Sequence, residues 1–158
     1  MFQIFLSHNA RDRAWCEWLK TSAAEIGVSA YLAEHDVQPG TNLAAKLIKA
    51  IEASDALVVL ISDNSVEAPY VHQEIGYALK AGKLIVPLVQ PGIHDDKLAM
   101  LRGVEYIPFD FDHPHEGHRQ LRIALSQLVD QQQRRKDRDA ALVALAVLGI
   151  IFLALGNE

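Results

Sequence analysis

The sequence predicts an α/β domain built on a parallel sheet, and three observations carry that prediction. Five short apolar runs, "FQIFLS", "VSAYLA", "ALVVLIS", "LIVPLV" and "VEYIPFD", have strand length and are bounded by turn residues. Helical patterns separate them, which supplies the crossovers that parallel strands need. Two of the runs, "ALVVLIS" and "LIVPLV", are nearly continuous in Val, Ile and Leu, as expected of strands buried on both faces.

The elements follow in order. After "FQIFLS", the positions Trp15, Trp18, Leu19, Ser22 and Ile26 form one helical stripe, and Leu43, Leu47, Ile48 and Ile51 form another after "VSAYLA". A third helix follows "ALVVLIS", opened by Pro69 in its first turn and stopped by Gly82, with Val71, Ile75, Ala78 and Leu79 as its apolar flank. A short helix over 95–102 separates "LIVPLV" from "VEYIPFD", and Leu121, Leu125, Leu128 and Val129 mark the last stripe. Right-handed crossovers with this count give the flavodoxin-like strand order 2-1-3-4-5. Ligands of such sheets collect beyond the carboxyl ends of strands 1 and 3, here at "SHN" and "SDNS".

Composition narrows the function classes. With 158 residues, half of them apolar, and a net charge of −5, the chain has the size of one domain and lacks the basic face that nucleic acid requires. Cys16 is the single cysteine, so no internal disulfide forms, and its place between two tryptophans reads as a packed thiol in a reducing compartment. The N-terminus has no basic start followed by a long apolar core, so it does not read as a signal peptide.

The end of the chain differs in kind. Residues 1–132 form the domain, 133–139 a charged linker, and 140–156 a run without charge or polar side chain. At ~1.5 Å per residue that run would be roughly 25 Å long, close to a ~30 Å hydrocarbon core. Arg134, Arg135, Lys136 and Arg138 precede it, which places the domain on the cytoplasmic side of an inner-membrane tail anchor. The alternative is a helix buried in a cytoplasmic assembly.

Several chemistries fail on spacing. "GYALKAGK" has Ala81 where a phosphate-binding loop needs its second glycine, and no Gly-rich dinucleotide fingerprint follows the first strand. The strand order is that of phospho-acceptor receiver domains, but by that likeness acidic residues after strand 1 and a lysine after strand 5 are missing. The cluster Asp110, Asp112, His113, His115, Glu116 and His118 matches no tetrahedral metal spacing, and Pro114 with Gly117 marks it as a solvated turn before a helix.

Glu74 stands apart. At ~100° per residue, Tyr70, Glu74 and Tyr77 fall in one sector of the third helix, with Glu74 at the border of the apolar flank. A partly desolvated carboxylate beside an aromatic wall is what glycoside-cleaving sites use at an oxocarbenium-like ribose centre. The competing reading is a surface glutamate paired with Lys80 or Lys83, or a helix cap.

"FLSH", the loop "EHDVQPG", "ASDALVVLIS" and "YVHQEIGYALKAGKLIVPLV", in this order and spacing, resemble a bacterial Toll/interleukin-receptor (TIR) domain. The resemblance implies cleavage of NAD, as substrate and not cofactor, into nicotinamide plus ADP-ribose or a cyclic isomer, with no metal and no further cofactor. It implies Glu74 as the catalytic glutamate, with Tyr70 where the family carries tryptophan. Ser7, His8, Asn9, Ser62 and the loop Glu34 to Gly40, including Asp36, would line the pocket. Ser7 and Asn9 also fit simple helix capping, and Pro39 and Gly40 a plain turn. The resemblance further implies activation by homo-oligomeric assembly, aided by the C-terminal helix, in bacterial antiphage signalling. The alternatives are a non-catalytic TIR module that signals by assembling, or a related nucleoside-processing enzyme.

Overall fold

The computed structural model describes residues 1–32 and 42–155, with side chains up to residue 148. Strands β1 (Phe2–Ser7), β2 (Val28–Leu32), β3 (Ala56–Ile61), β4 (Leu84–Val89) and β5 (Ile107–Pro108) form one parallel sheet in the order β2-β1-β3-β4-β5. This is the order expected from the crossovers. The helices are α1 (Arg13–Ala24), α2 (Leu43–Ala53), α3 (Pro69–Lys80) and α4 (Pro114–Leu155). The chain divides into a first unit, Met1–Ile123, that carries the sheet, and a second, from Ala124, that continues α4.

Side chains alternate across the sheet, so odd and even positions of a strand serve different layers. Phe5 of β1 and Leu57, Val59 and Ile61 of β3 share a core with Leu47 and Ile51 of α2 and Val71, Ile75 and Ala78 of α3. Ile4, Leu6, Val58 and Leu60 point the opposite way and are equally buried. Each such Leu or Ile contributes about 1.5–3 kcal/mol, which is why the central strands read as unbroken apolar runs.

Several expectations need correction. The fifth strand was expected over 104–110 but forms only at Ile107–Pro108, because Pro108 offers no N–H to a ladder and the strand lies at the sheet edge. The segment Asp95–Leu101 is a 3-10 helix kinked at Ala99, whose φ of 47° breaks regular winding. In α1 the buried stripe is Cys16, Leu19, Ser22 and Ala23, while Trp15 and Trp18 are half-buried and meet the ring of Phe109 at 6.0 and 6.4 Å. Leu79, expected on the core flank of α3, is 45% exposed.

The expected linker 133–139 is helix, continuous within α4. No helix of the described residues is long and apolar enough to cross a membrane, so the expected anchor finds no support among them. Of the expected apolar segment 140–156, the described side chains cover 140–148. The side chains of 149–156 lie outside the described residues.

Gly117 is likewise not a turn residue. It sits in the first turns of α4, buried, where an added Cβ would stand 2.7 Å from the Pro108 carbonyl oxygen and 2.8 Å from Phe109 Cδ2. Its missing side chain lets α4 close on the end of β5.

Candidate active site

Helix α3 brings the central side chain into place. Its N-terminal residue, Ala68, is extended and gives no side-chain cap, and Pro69 opens the first turn where its missing N–H costs nothing. From there Val71, Glu74, Ile75 and Ala78 fall on one buried stripe. Glu74 therefore lies inside the apolar stripe, at 1% exposure, and not at its border as the spacing suggested.

What makes that burial tolerable is Ser7. It is the last residue of β1, on the same face as Phe5, and its hydroxyl donates to Glu74 Oε2. Burial raises the Glu74 carboxyl from its ordinary 4.5 to about 8, and the Ser7 bond acts against that rise. The surface reading is therefore set aside: Glu74 faces β1, and Lys83 donates to the Glu52 carbonyl at 2.7 Å. Tyr70, one turn earlier, is half-buried against the same core.

The other candidates divide between locations. His8 is 1% exposed with Nδ1 3.2 Å from the Leu6 carbonyl, and burial lowers its pKa. Ser62 is fully buried and donates to Asp12 Oδ2 at 2.5 Å. Asn9 accepts from the Arg11 N–H at 3.0 Å, a helix-capping bond, and also donates to the Asn64 carbonyl at 2.8 Å. Thus Ser7, Tyr70 and Glu74 share one side of the sheet, and Asn9 and Ser62 belong to a second polar cluster at the exits of β1 and β3. Asp36 and the loop 34–40 lie outside the described residues.

Sequence reasoning missed the centre of that second cluster. Asp12 is 4% exposed and also accepts from Asn64 Nδ2 at 2.7 Å. Asp12 stands one position before α1 yet makes no cap bond to it.

Two cavities lie elsewhere. One of about 210 Å³ is bounded by Ile48, Tyr77 and Lys80, and one of about 340 Å³ by Asp95, Leu98 and Tyr106. Neither is lined by a buried titratable group.

A family model described as "TIR domain" matches residues 4–123. No curated protein matches the chain. Among solved structures, the TIR domain of the Toll-related receptor TRR-2 from Hydra magnipapillata superposes with a TM-score of 0.58 at 17% identity, over 85% of this chain and 99% of that one. The Clostridium botulinum CMP N-glycosidase BcmB gives a TM-score of 0.56 at 21% identity, over 75% and 97%. The TIR domains of the activated Roq1 resistosome, which directly recognises the pathogen effector XopQ, give 0.51 at 20% identity. This chain spans about 65% of the length of the Roq1 chain. These likenesses establish a shared fold.

Proposed function

Since the chain belongs to the TIR domain family, we propose that it cleaves NAD between nicotinamide and ribose, with Glu74 as the catalytic carboxylate. The observation that carries this reading is the buried Glu74 carboxyl held by the Ser7 hydroxyl at the carboxyl end of β1, where ligands of such sheets bind.

As the C–N bond breaks, its electron pair leaves with nicotinamide, which departs neutral and needs no general acid. Positive charge builds on the ribose C1′, and a desolvated carboxylate stabilises it far better than water would. Burial keeps Glu74 largely protonated at neutral pH, and the cationic nicotinamide ring lowers that pKa by direct attraction as it binds. Water then captures C1′ and releases a proton, giving ADP-ribose, or an internal nitrogen does so and gives a cyclic isomer. Tyr70 supplies the aromatic wall beside the reacting ribose. The scheme draws on no metal and no further cofactor. The fold shared with an N-glycosidase, BcmB, is compatible with scission of an N-glycosidic bond.

Assembly belongs to the same reading. Leu142, Val143, Leu145, Val147 and Leu148 of α4 are 50–66% exposed, a contiguous apolar surface of the kind that proteins cover by association. Homo-oligomers formed there and through the TIR domain concentrate the sites, and defence signalling is the proposed setting, the resistosome being a related case. The second reading, a TIR module that assembles without catalysis, rests on this same surface.

The test incubates the assembled chain with NAD, and separately with CMP, and identifies products by mass spectrometry. Nicotinamide release supports the proposal. Base release from CMP alone points to the nucleoside-processing alternative, and neither reaction in an assembled, folded sample leaves the interaction module.

A further inference from the structure

We propose that Asp12 is a positioning residue for Glu74: through Ser62 and Asn64 it fixes the loop that delivers α3, and hence the place of the Glu74 carboxyl. The catalytic consequence rests on the function proposed above, whereas the positioning itself does not.

The geometry is a two-point registration from one short segment. Residues 7–12 leave the end of β1, and the first of them, Ser7, reaches Glu74 directly. The last, Asp12, receives Ser62 Oγ at 2.5 Å and Asn64 Nδ2 at 2.7 Å, both from the loop between β3 and α3. Asn9, between them, donates to the Asn64 carbonyl at 2.8 Å. The same stretch of chain thus grips α3 at its active carboxylate and at the loop that leads into it.

That loop transmits the grip. Ser62 Oγ accepts from the Asn64 N–H at 3.1 Å, and Ser65 Oγ accepts from the Ser62 N–H at 2.8 Å while donating to the Leu60 carbonyl at 2.7 Å. The Ala68 N–H then bonds the Ser65 carbonyl at 2.9 Å, one residue before α3 begins. Because Ala68 supplies no side-chain cap, the helix start is set by this network. A carboxylate at 4% exposure is an expensive way to obtain stability alone, since apolar packing commonly does as well, and its use fits a demand for one geometry.

The test uses the full chain with Asp12→Ala, Asp12→Asn and Ser62→Ala, reading kcat and KM for nicotinamide release and the backbone amide resonances of Ser7 and Glu74. Asp12→Ala should lower kcat by about 10-fold or more with KM within about 2-fold, the pattern of a misplaced reacting group. Asp12→Asn, which keeps an acceptor, should recover part of the loss, and the alanine changes at Asp12 and Ser62 should be non-additive. Leu19→Ala, a core truncation in α1, is the control for stability loss and should keep kcat. In Asp12→Ala the Glu74 amide resonance should move. A folded Asp12→Ala with wild-type kcat and an unmoved Glu74 resonance overturns the proposal. Should Asp12→Ala fail to fold, Asn64→Ala, at an exposed position, is decided by the same two readouts. Should the wild type not cleave NAD, the resonance alone decides, so the two ideas fail separately.

Discussion

Ser7 and Glu74 lie 67 positions apart in sequence, and the hydroxyl of the first donates to Oε2 of the second between the end of β1 and the middle of α3. The pair joins a strand that ends at the sheet's switch point to a helix whose apolar stripe carries a carboxylate. Its consequences can be measured one at a time.

Removing the donor should strip Glu74 of its orientation. Ser7→Ala is expected to cost about 1–3 kcal/mol of stability, the usual cost of leaving a buried partner unsatisfied. Since the Ser7 bond holds the Glu74 pKa down, the variant should also titrate above about 8. Thermal denaturation and a pH-rate profile read the two effects.

The raised carboxyl fixes the sign of a pH effect on stability. Glu74 has a folded-state pKa of about 8 against an ordinary 4.5, so the folded chain binds the extra proton between those values. Stability from this group is complete below 4.5 and is lost as pH rises through about 8. Glu74→Gln abolishes that dependence, so the wild type should lose up to about 5 kcal/mol relative to it between acid and alkaline conditions. Denaturant midpoints at pH values on either side of that window check it.

The same group sets the rate profile. If the ionised carboxylate stabilises the ribosyl cation, kcat/KM for the free enzyme should climb with pH and level off above about 8. A flat profile across that window would remove Glu74 from the chemistry.

Tyr70 should act through its ring. Tyr70→Trp is expected to retain NAD cleavage, and Tyr70→Ala to lose about 10-fold or more in kcat/KM, in line with the loss of a large aromatic surface. Steady-state kinetics on the two variants decide between a stacking wall and a bystander.

Gly117 tests the packing account. Ala is the better helix former by about 1 kcal/mol, yet its Cβ would meet the Pro108 carbonyl oxygen at 2.7 Å. Overpacking against backbone costs about 1–3 kcal/mol, so Gly117→Ala should be net destabilising. A raised melting temperature would refute the close approach.

Much of the architecture was legible because buried parallel strands and amphipathic helices leave strong periodic signals. The strand order followed from crossover handedness, and Glu74 from its spacing to Tyr70. The degree of its burial did not, since the partner that permits it comes from Ser7, on a distant strand. Asp12 escaped for the same reason: its bonds to Ser62 and Asn64 span 50 and 52 positions. The fifth strand was overextended because alternation alone cannot say that Pro108 sits at an edge. The charged residues 133–139 looked like a break, but helix propensity is high in such a run, and α4 passes through it.

The most direct measurement is nicotinamide release from NAD by the full chain beside Glu74→Gln, a change that preserves shape while removing the charge. The account predicts release by the wild type and its loss by at least about 100-fold in the variant, with the fold intact. Equal release by both proteins would contradict it.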